Sequence, residues 1–269
     1  MSTPPIDTRS DQDLAKLAAG RLAADTYCFD GARLGLGSGT TSHYFVRALA
    51  EKVRDGLRVV GVPTSNGTKE LALSLGIALV DLDEIDQLDV CIDGPDEINP
   101  QGMMIKGGGA CLLWEKLVAR TSAKMVVVAD HMKAVQELGA FPLPVEIVQF
   151  SWGTTARAIR ALLSEHGYPP EVEMRRRESD GQPVVTDNGN FIVDIDLGRA
   201  RDIPELTVEL NTIPGVVENG FFVGIADEVV FGWPDGHARV HPFPLQLPLS
   251  EPADPQSGTT TVLNEETTR

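Results

Sequence analysis

From Asp11 to about Cys28 the apolar residues Leu14, Leu17, Ala18 and Leu22 recur at helical spacing. The run Arg33-Leu-Gly-Leu36 then predicts a short strand, and Phe45, Val46, Leu49 and Val53 predict a helix over about 41–54. The alternation continues. Residues 57–62 read as a strand, and about 66–75 as a helix with Thr64 or Ser65 as N-cap. Residues 77–80 and 88–92 read as strands, about 110–122 as a helix and 124–129 as a strand. Strands alternating with helices predict βαβ units, hence an α/β fold on a parallel sheet with right-handed crossovers.

The pattern changes near Phe141-Pro-Leu-Pro144. Residues 145–150 read as a strand and 154–164 as a helix. Residues 184–193 read as two strands around Asn188-Gly189, a hairpin signal, and 204–211 as a short helix. That mixture predicts a smaller α+β domain at 143–216, inserted in a larger one made of 11–142 and 217–246. Residues 221–225 and 228–231 are expected as strands that return to the larger domain, and 233–237 as a turn. The polar, proline-containing residues 1–10 are expected to be a flexible tail. Residues 247–269, rich in Pro, Thr and Glu without a period, are expected to be disordered.

Composition narrows the function. The chain has 269 residues and a formal net charge of −16. A surface that acidic disfavours sequence-independent binding to nucleic acid or to an anionic membrane. No apolar run approaches the roughly 18 residues of a membrane span, and the N-terminus lacks the basic start of a signal peptide. Cys28, Cys91 and Cys111 give no disulfide framework and no CxxC pair. A reducing, cytoplasmic setting is expected.

Three segments carry candidate chemistry. Gly35-Leu-Gly-Ser-Gly-Thr-Thr41 joins a predicted strand to a helix, where backbone N–H groups freed of side-chain bulk bind anions. Ser38, Thr40 and Thr41 add hydroxyls. The glycine spacing departs from the dinucleotide fingerprint, and the next strand ends at Gly61-Val-Pro-Thr-Ser65 without the acidic residue a ribose requires. A phosphate, a nicotinamide cofactor and a plain tight turn all remain open on this motif alone. Asp93-Gly-Pro-Asp-Glu97 follows the strand at 88–92, so its carboxylates sit at the ligand-binding edge of the sheet. Crowded carboxylates raise one another's proton affinity, which suits acid/base work, although a solvated acidic turn or a divalent-metal site fits the same pattern. Lys106-Gly-Gly-Gly109 places three glycines where backbone approaches a ligand closely, with Glu115 on the helix that follows as a candidate base or a surface charge. The chain has seven lysines, and Lys106 and Lys133 both fall at this sheet edge, where an anionic substrate of an acidic protein needs local positive charge.

These segments, in order with Phe141-Pro-Leu-Pro-Val-Glu146, Val185-Thr-Asp-Asn-Gly-Asn190 and Ile213-Pro-Gly-Val216, resemble the type A ribose-5-phosphate isomerases over about residues 11–242. The resemblance implies a Rossmann-like parallel-sheet domain with a smaller α+β, ferredoxin-like domain, no cofactor and no metal. It implies a homodimer or homotetramer acting on a pentose 5-phosphate in the non-oxidative pentose phosphate pathway. Position by position, it implies Glu115 as catalytic base, with Asp93 and Lys106 beside it. It implies substrate contacts from Ser38, Gly39, Thr40, Thr41, Asp93, Gly94, Pro95, Asp96, Lys106, Gly107, Gly108, Gly109 and Lys133. Lys16 falls where the family has a lysine near the substrate phosphate. On this reading Glu115 moves a proton between C2 and C1 through a cis-enediolate, and Lys106 steadies the oxyanion. Pro95 replaces the family's usual alanine, and Cys-Leu-Leu-Trp fills 111–114, where smaller or polar residues are common. Two alternatives stand beside it: an amino-sugar-phosphate deaminase on a similar fold, and a non-enzymatic sugar-phosphate sensor, which would need a basic helix-turn-helix that residues 1–30 do not supply.

Overall fold

The computed structural model describes residues 9–169 and 171–249. The Ser10 side chain accepts the Asp13 amide and starts helix α1 (Asp11–Tyr27), so the end of the expected N-terminal tail is already a cap; residues 1–8 lie outside the described residues. Next come β1 (Arg33–Leu36), α2 (Gly39–Arg54), β2 (Val60–Pro63), α3 (Asn66–Ser74), β3 (Val90–Asp93), β4 (Glu97–Ile98), β5 (Met104–Ile105), α4 (Leu112–Thr121) and β6 (Met125–Asp130). A second series runs β7 (Leu143–Ile147), α5 (Trp152–Glu165), β8 (Val172–Met174), β9 (Phe191–Ile195), α6 (Ile203–Thr212) and β10 (Val216–Asn219). The chain then forms β11 (Phe221–Phe222), β12 (Glu228–Gly232) and β13 (Ala238–Pro242).

The large sheet has the order β13-β12-β6-β3-β1-β2, parallel except for β13 at one edge. Strand β6 shows why its sequence is an unbroken apolar run. Val126 and Val128 pack with Phe45, Val46 and Leu49 of α2 on one face. Met125, Val127 and Ala129 pack with Val118 and Ala119 of α4 on the other. Alternate residues serve opposite faces, and both faces are covered. Helix α1 crosses β12 so closely that a Cβ on Gly232 would lie 1.9 Å from the Ala15 carbonyl oxygen. The architecture is the Rossmann-like α/β layer arrangement that was expected.

The second series forms an antiparallel sheet in the order β10-β7-β9-β8. Its order along the chain, βαββαβ, is the ferredoxin-like, split-βαβ arrangement. Helices α5 and α6 cover it with Ile159, Leu163, Leu206 and Leu210 over Val145, Ile147, Val193 and Ile195. Strand β10 carries this sheet past the expected boundary at 216 to Asn219, so we propose residues 143–219 as the smaller domain, its core joined by Ile105, Leu138 and Phe221 of the larger one. A third sheet, β11-β5-β4, lies where the chain passes between the two.

Several expectations change. Residues 77–80 form a single parallel bridge, Gly61 with Leu79, rather than a strand, because Asp81 at once caps a 3-10 turn at Leu82–Glu84. The hairpin at Asn188-Gly189 keeps its turn but not its first arm. Strand β9 is already paired on both edges, by β7 and β8, so the preceding residues bridge to β9 only at Val185, and Pro183 bridges instead to Arg176. The strand expected over 221–225 is the two residues of β11, paired to β5 in the third sheet, whereas β12 does rejoin the large sheet. The expected tail boundary moves as well. Leu245 is buried and Leu249 packs on the core beside α4; residues 250–269 lie outside the described residues. Among the described residues no helix is long and apolar enough to cross a membrane.

Candidate active site

Parallel strands bring their C-terminal ends to one edge, where β1 runs into Gly37-Ser38, β3 ends at Asp93 and β6 leads to a 3-10 turn at His131–Lys133. Strand β5 delivers Lys106 to the same edge, and the glycine loop after it turns into α4, whose first turn carries Glu115. One cavity of about 120 Å³ is lined by Glu115 and by every substrate-contacting residue expected from the sequence except Asp93. Asp93 lies beneath it, fully buried. A larger cavity of about 530 Å³ lies elsewhere, walled by Val62, Leu79, Leu82, Trp114 and Leu117. Its charged lining is one lysine among three acids, Lys69 with Asp81, Asp83 and Glu84, which does not suit an anion.

The buried centre is an ion triad. Lys106 Nζ lies 3.1 Å from Asp93 Oδ2 and 3.1 Å from Glu115 Oε1, and donates to the Gly94 carbonyl. The other oxygen of Asp93 accepts from the Ser38 amide (3.0 Å), the Ser42 hydroxyl (2.9 Å) and the Gly94 amide (2.8 Å). Residue 37 must be glycine for this: a Cβ there would lie 2.2 Å from Asp93 Oδ1. Glu115 Oε2 is buried without a hydrogen-bond partner among the described residues.

Two buried carboxylates share one ammonium, so one carboxylate is poorly compensated. Burial, reinforced by Asp93 and Asp96, pushes the Glu115 carboxyl up to about 8 against the pull of Lys106. Burial alone would lower Lys106, but Asp93 and Glu115 outweigh it and hold the amine above its ordinary value, as an ammonium ion. The pair therefore combines a carboxylate of raised basicity with a fixed positive charge.

The rest of the cavity fits an oxyanion. Helix α2 begins at Gly39 with no side-chain cap, so its first amides, with the Thr40 and Thr41 hydroxyls, face an N-terminal anion site. Lys16 from α1 and Lys133 after β6 line the cavity as well. The Ser38 hydroxyl is turned away. It lies 2.7 Å from Thr64 Oγ1, 2.7 Å from Ser65 Oγ and 3.2 Å from Thr68 Oγ1, in a buried hydroxyl cluster under the loop. Asp96 Oδ2 accepts the Gly108 amide at 2.7 Å and so shapes the glycine loop.

Two site residues escape a reading of the sequence. Ser42 follows the anion motif directly, yet nothing in its spacing marks it as a donor to Asp93. Arg175, just past β8, donates to the carbonyls of Gly107 (2.7 Å) and Gly108 (3.0 Å) while Asp194 holds its Nε at 2.7 Å. It is nearly 70 residues away along the chain, so only the fold brings it to the loop. Among the described residues no group of three or more His, Cys, Asp or Glu is placed to hold a metal ion.

Residues 60–236 match the profile of the family described as Ribose 5-phosphate isomerase A (phosphoriboisomerase A). The chain is 50% identical over 232 residues to "Ribose-5-phosphate isomerase A 2" of Yersinia pestis, covering 86% of this chain and 98% of that protein. Its fold is similar to a ribose 5-phosphate isomerase A from Methanocaldococcus jannaschii, with TM-score 0.78, 39% identity, and 87% and 100% of the two chains covered. It is also similar to a D-ribose-5-phosphate isomerase solved in complex with phospho-erythronic acid, with TM-score 0.80, 37% identity, and 87% and 100% covered.

Proposed function

The chain belongs to the ribose 5-phosphate isomerase A family, and on that premise we propose which of its residues perform the interconversion of ribose 5-phosphate and ribulose 5-phosphate in the pentose phosphate pathway. Glu115 is the base. It takes the proton from C2 of the open-chain aldose and delivers it to C1 of the resulting cis-enediolate, one carboxylate serving both carbons, while the O2 hydroxyl proton passes to O1. The observation that carries this assignment is the division of labour on Glu115: Oε1 is held by Lys106, and Oε2 is buried at the cavity without a partner. Lys106, pinned between Asp93 and Glu115, supplies fixed positive charge for the oxyanion that develops on O1 and O2.

Asp93 has its Oδ1 fully occupied, so its role is to fix Lys106. Asp96 lines the cavity and is the carboxylate that meets sugar hydroxyls and assists ring opening. The α2 N-terminus with Thr40, Thr41, Lys16 and Lys133 takes the 5-phosphate. That anchoring holds C1 and C2 against Glu115 and lowers the entropy cost of the proton transfers. A relative's complex with phospho-erythronic acid, a phosphorylated four-carbon sugar acid, supports an anion-binding site. The protein is expected to act in the cytoplasm as a homodimer or homotetramer, without a cofactor.

Glu115→Gln tests the assignment in a coupled assay of ribose 5-phosphate turnover run in EDTA. The glutamine keeps the shape and cannot accept the proton. The expected result is a kcat lower by at least about 10²-fold with KM little changed. A variant with near wild-type kcat would overturn it.

A further inference from the structure

The loop at residues 186–190 belongs to the smaller domain and lines no part of the catalytic cavity, yet it holds the first turns of α3 and α4. Glu146 of β7 is fully buried. Its Oε1 accepts from Thr186 Oγ1 (2.8 Å), Asn188 Nδ2 (3.1 Å) and Asn190 Nδ2 (2.9 Å), which fixes the loop from behind. Facing outward, Asp187 accepts the amide of Asn66 at 2.8 Å, at the start of α3. Asn188 Oδ1 accepts the indole N–H of Trp114 at 2.7 Å. Trp114 immediately precedes Glu115, on the first turn of α4, where the N-cap Cys111 makes no side-chain capping bond. Trp114 also borders the other cavity, of about 530 Å³, so an indole released from Asn188 has room to swing.

We propose that Asn188 is a positioning residue for the isomerisation. Backed by Glu146, it tethers Trp114 and so fixes the first turn of α4, keeping Glu115 Oε2 on the reacting carbons. The inference rests on Glu115 being the base. It assigns the smaller domain a part in the chemistry through a side chain that never touches substrate. A general base gains its efficiency from a geometry held to fractions of an ångström, and a displacement of about 1 Å costs up to about 10²-fold in rate. Phosphate anchoring is on α2, Lys16 and Lys133, so substrate binding is left alone.

The test is a double-mutant cycle of Asn188→Ala and Trp114→Phe, with wild type and Glu115→Gln in the same assay. Asn188 is exposed and phenylalanine keeps most of the Trp114 ring, so both variants are expected to fold, and thermal melts verify it. Each single variant is expected to lose kcat about tenfold with KM for ribose 5-phosphate within about twofold of wild type. The double variant is expected to lose no more than the worse single, because both changes remove one hydrogen bond. Wild-type kcat in both singles, multiplicative losses in the double, or a loss confined to KM would each overturn the tether while an inactive Glu115→Gln leaves the base assignment standing. An active Glu115→Gln would instead remove the premise.

Discussion

At Glu115 the basicity that serves catalysis is a liability for folding. Its carboxyl is pushed from the ordinary 4.5 to about 8, chiefly by burial. Catalysis needs the ionised form, so kcat should rise with pH through a midpoint well above 4.5, towards about 8, and a midpoint near 4.5 would contradict the burial effect. Stability runs the other way. The folded state binds this proton more tightly than the unfolded chain does, so the contribution is full below about 4.5 and is lost as pH climbs towards 8. Glu115→Gln removes the titration altogether. Thermal melts of wild type and variant should therefore nearly coincide at pH 5, with the variant melting progressively higher towards pH 9. A difference that stays flat over that range would show that Lys106 compensates the carboxylate fully.

At the scale of elements, the positive charge of the cavity comes from three separate pieces of chain: Lys16 on α1, Lys106 after β5 and Lys133 after β6. On a chain of net charge −16, binding of a dianion depends on where those lysines are rather than on their number. Lys133→Ala should raise KM about tenfold, the loss of one charge-assisted contact, while Lys69→Ala, on α3 beside the other cavity, should leave KM unchanged. Equal effects would mean that only the overall field matters. The elements also show what the sequence makes legible. Gly35 to Thr41 and Asp93 to Glu97 were readable because each follows a strand whose end is fixed by the parallel sheet, and Lys106 to Glu115 because three consecutive glycines ahead of a helix stand out without the strand before them. Strands β4, β5 and β8 were not, because two or three residues have no period to detect. Edge strand β13, Ala-Arg-Val-His-Pro, mixes polar and apolar residues. Ser38 was read as a phosphate donor from its place in the motif. Its rotation into the Thr64–Ser65–Thr68 cluster depends on contacts about 30 residues away, as Arg175 and Asn188 depend on contacts farther still.

For the whole molecule, the structure shows where the fold must be retained at its C-terminus. After β13 the chain does not leave the surface. Leu245 is 7% exposed and donates its amide to the Pro100 carbonyl at 2.8 Å. Phe243 and Leu249 pack with it on the core that also holds Trp233, Phe231 and Val229. With Val262 and Leu263 as their only large apolar residues, residues 250–269 are expected to add little stability, since ordering 20 residues costs about 1 kcal/mol or more each. Two truncations separate these regions. Removing residues 250–269 should leave activity unchanged and the melting temperature within about 1 °C of the full chain. Removing 243–269 also strips Phe243, Leu245 and Leu249, at about 1.5–3 kcal/mol for each fully buried side chain and less for the two half-buried ones. That sums to about 3–6 kcal/mol, and at roughly 2–4 °C per kcal/mol for a domain of this size the melt should fall by about 6–24 °C. The active site should survive in the folded fraction, because this segment lines none of the catalytic cavity. Light scattering on both truncations tests the competing role for residues 250–269: a drop in oligomer mass for the shorter deletion would place a subunit contact in the tail and overturn the composition argument.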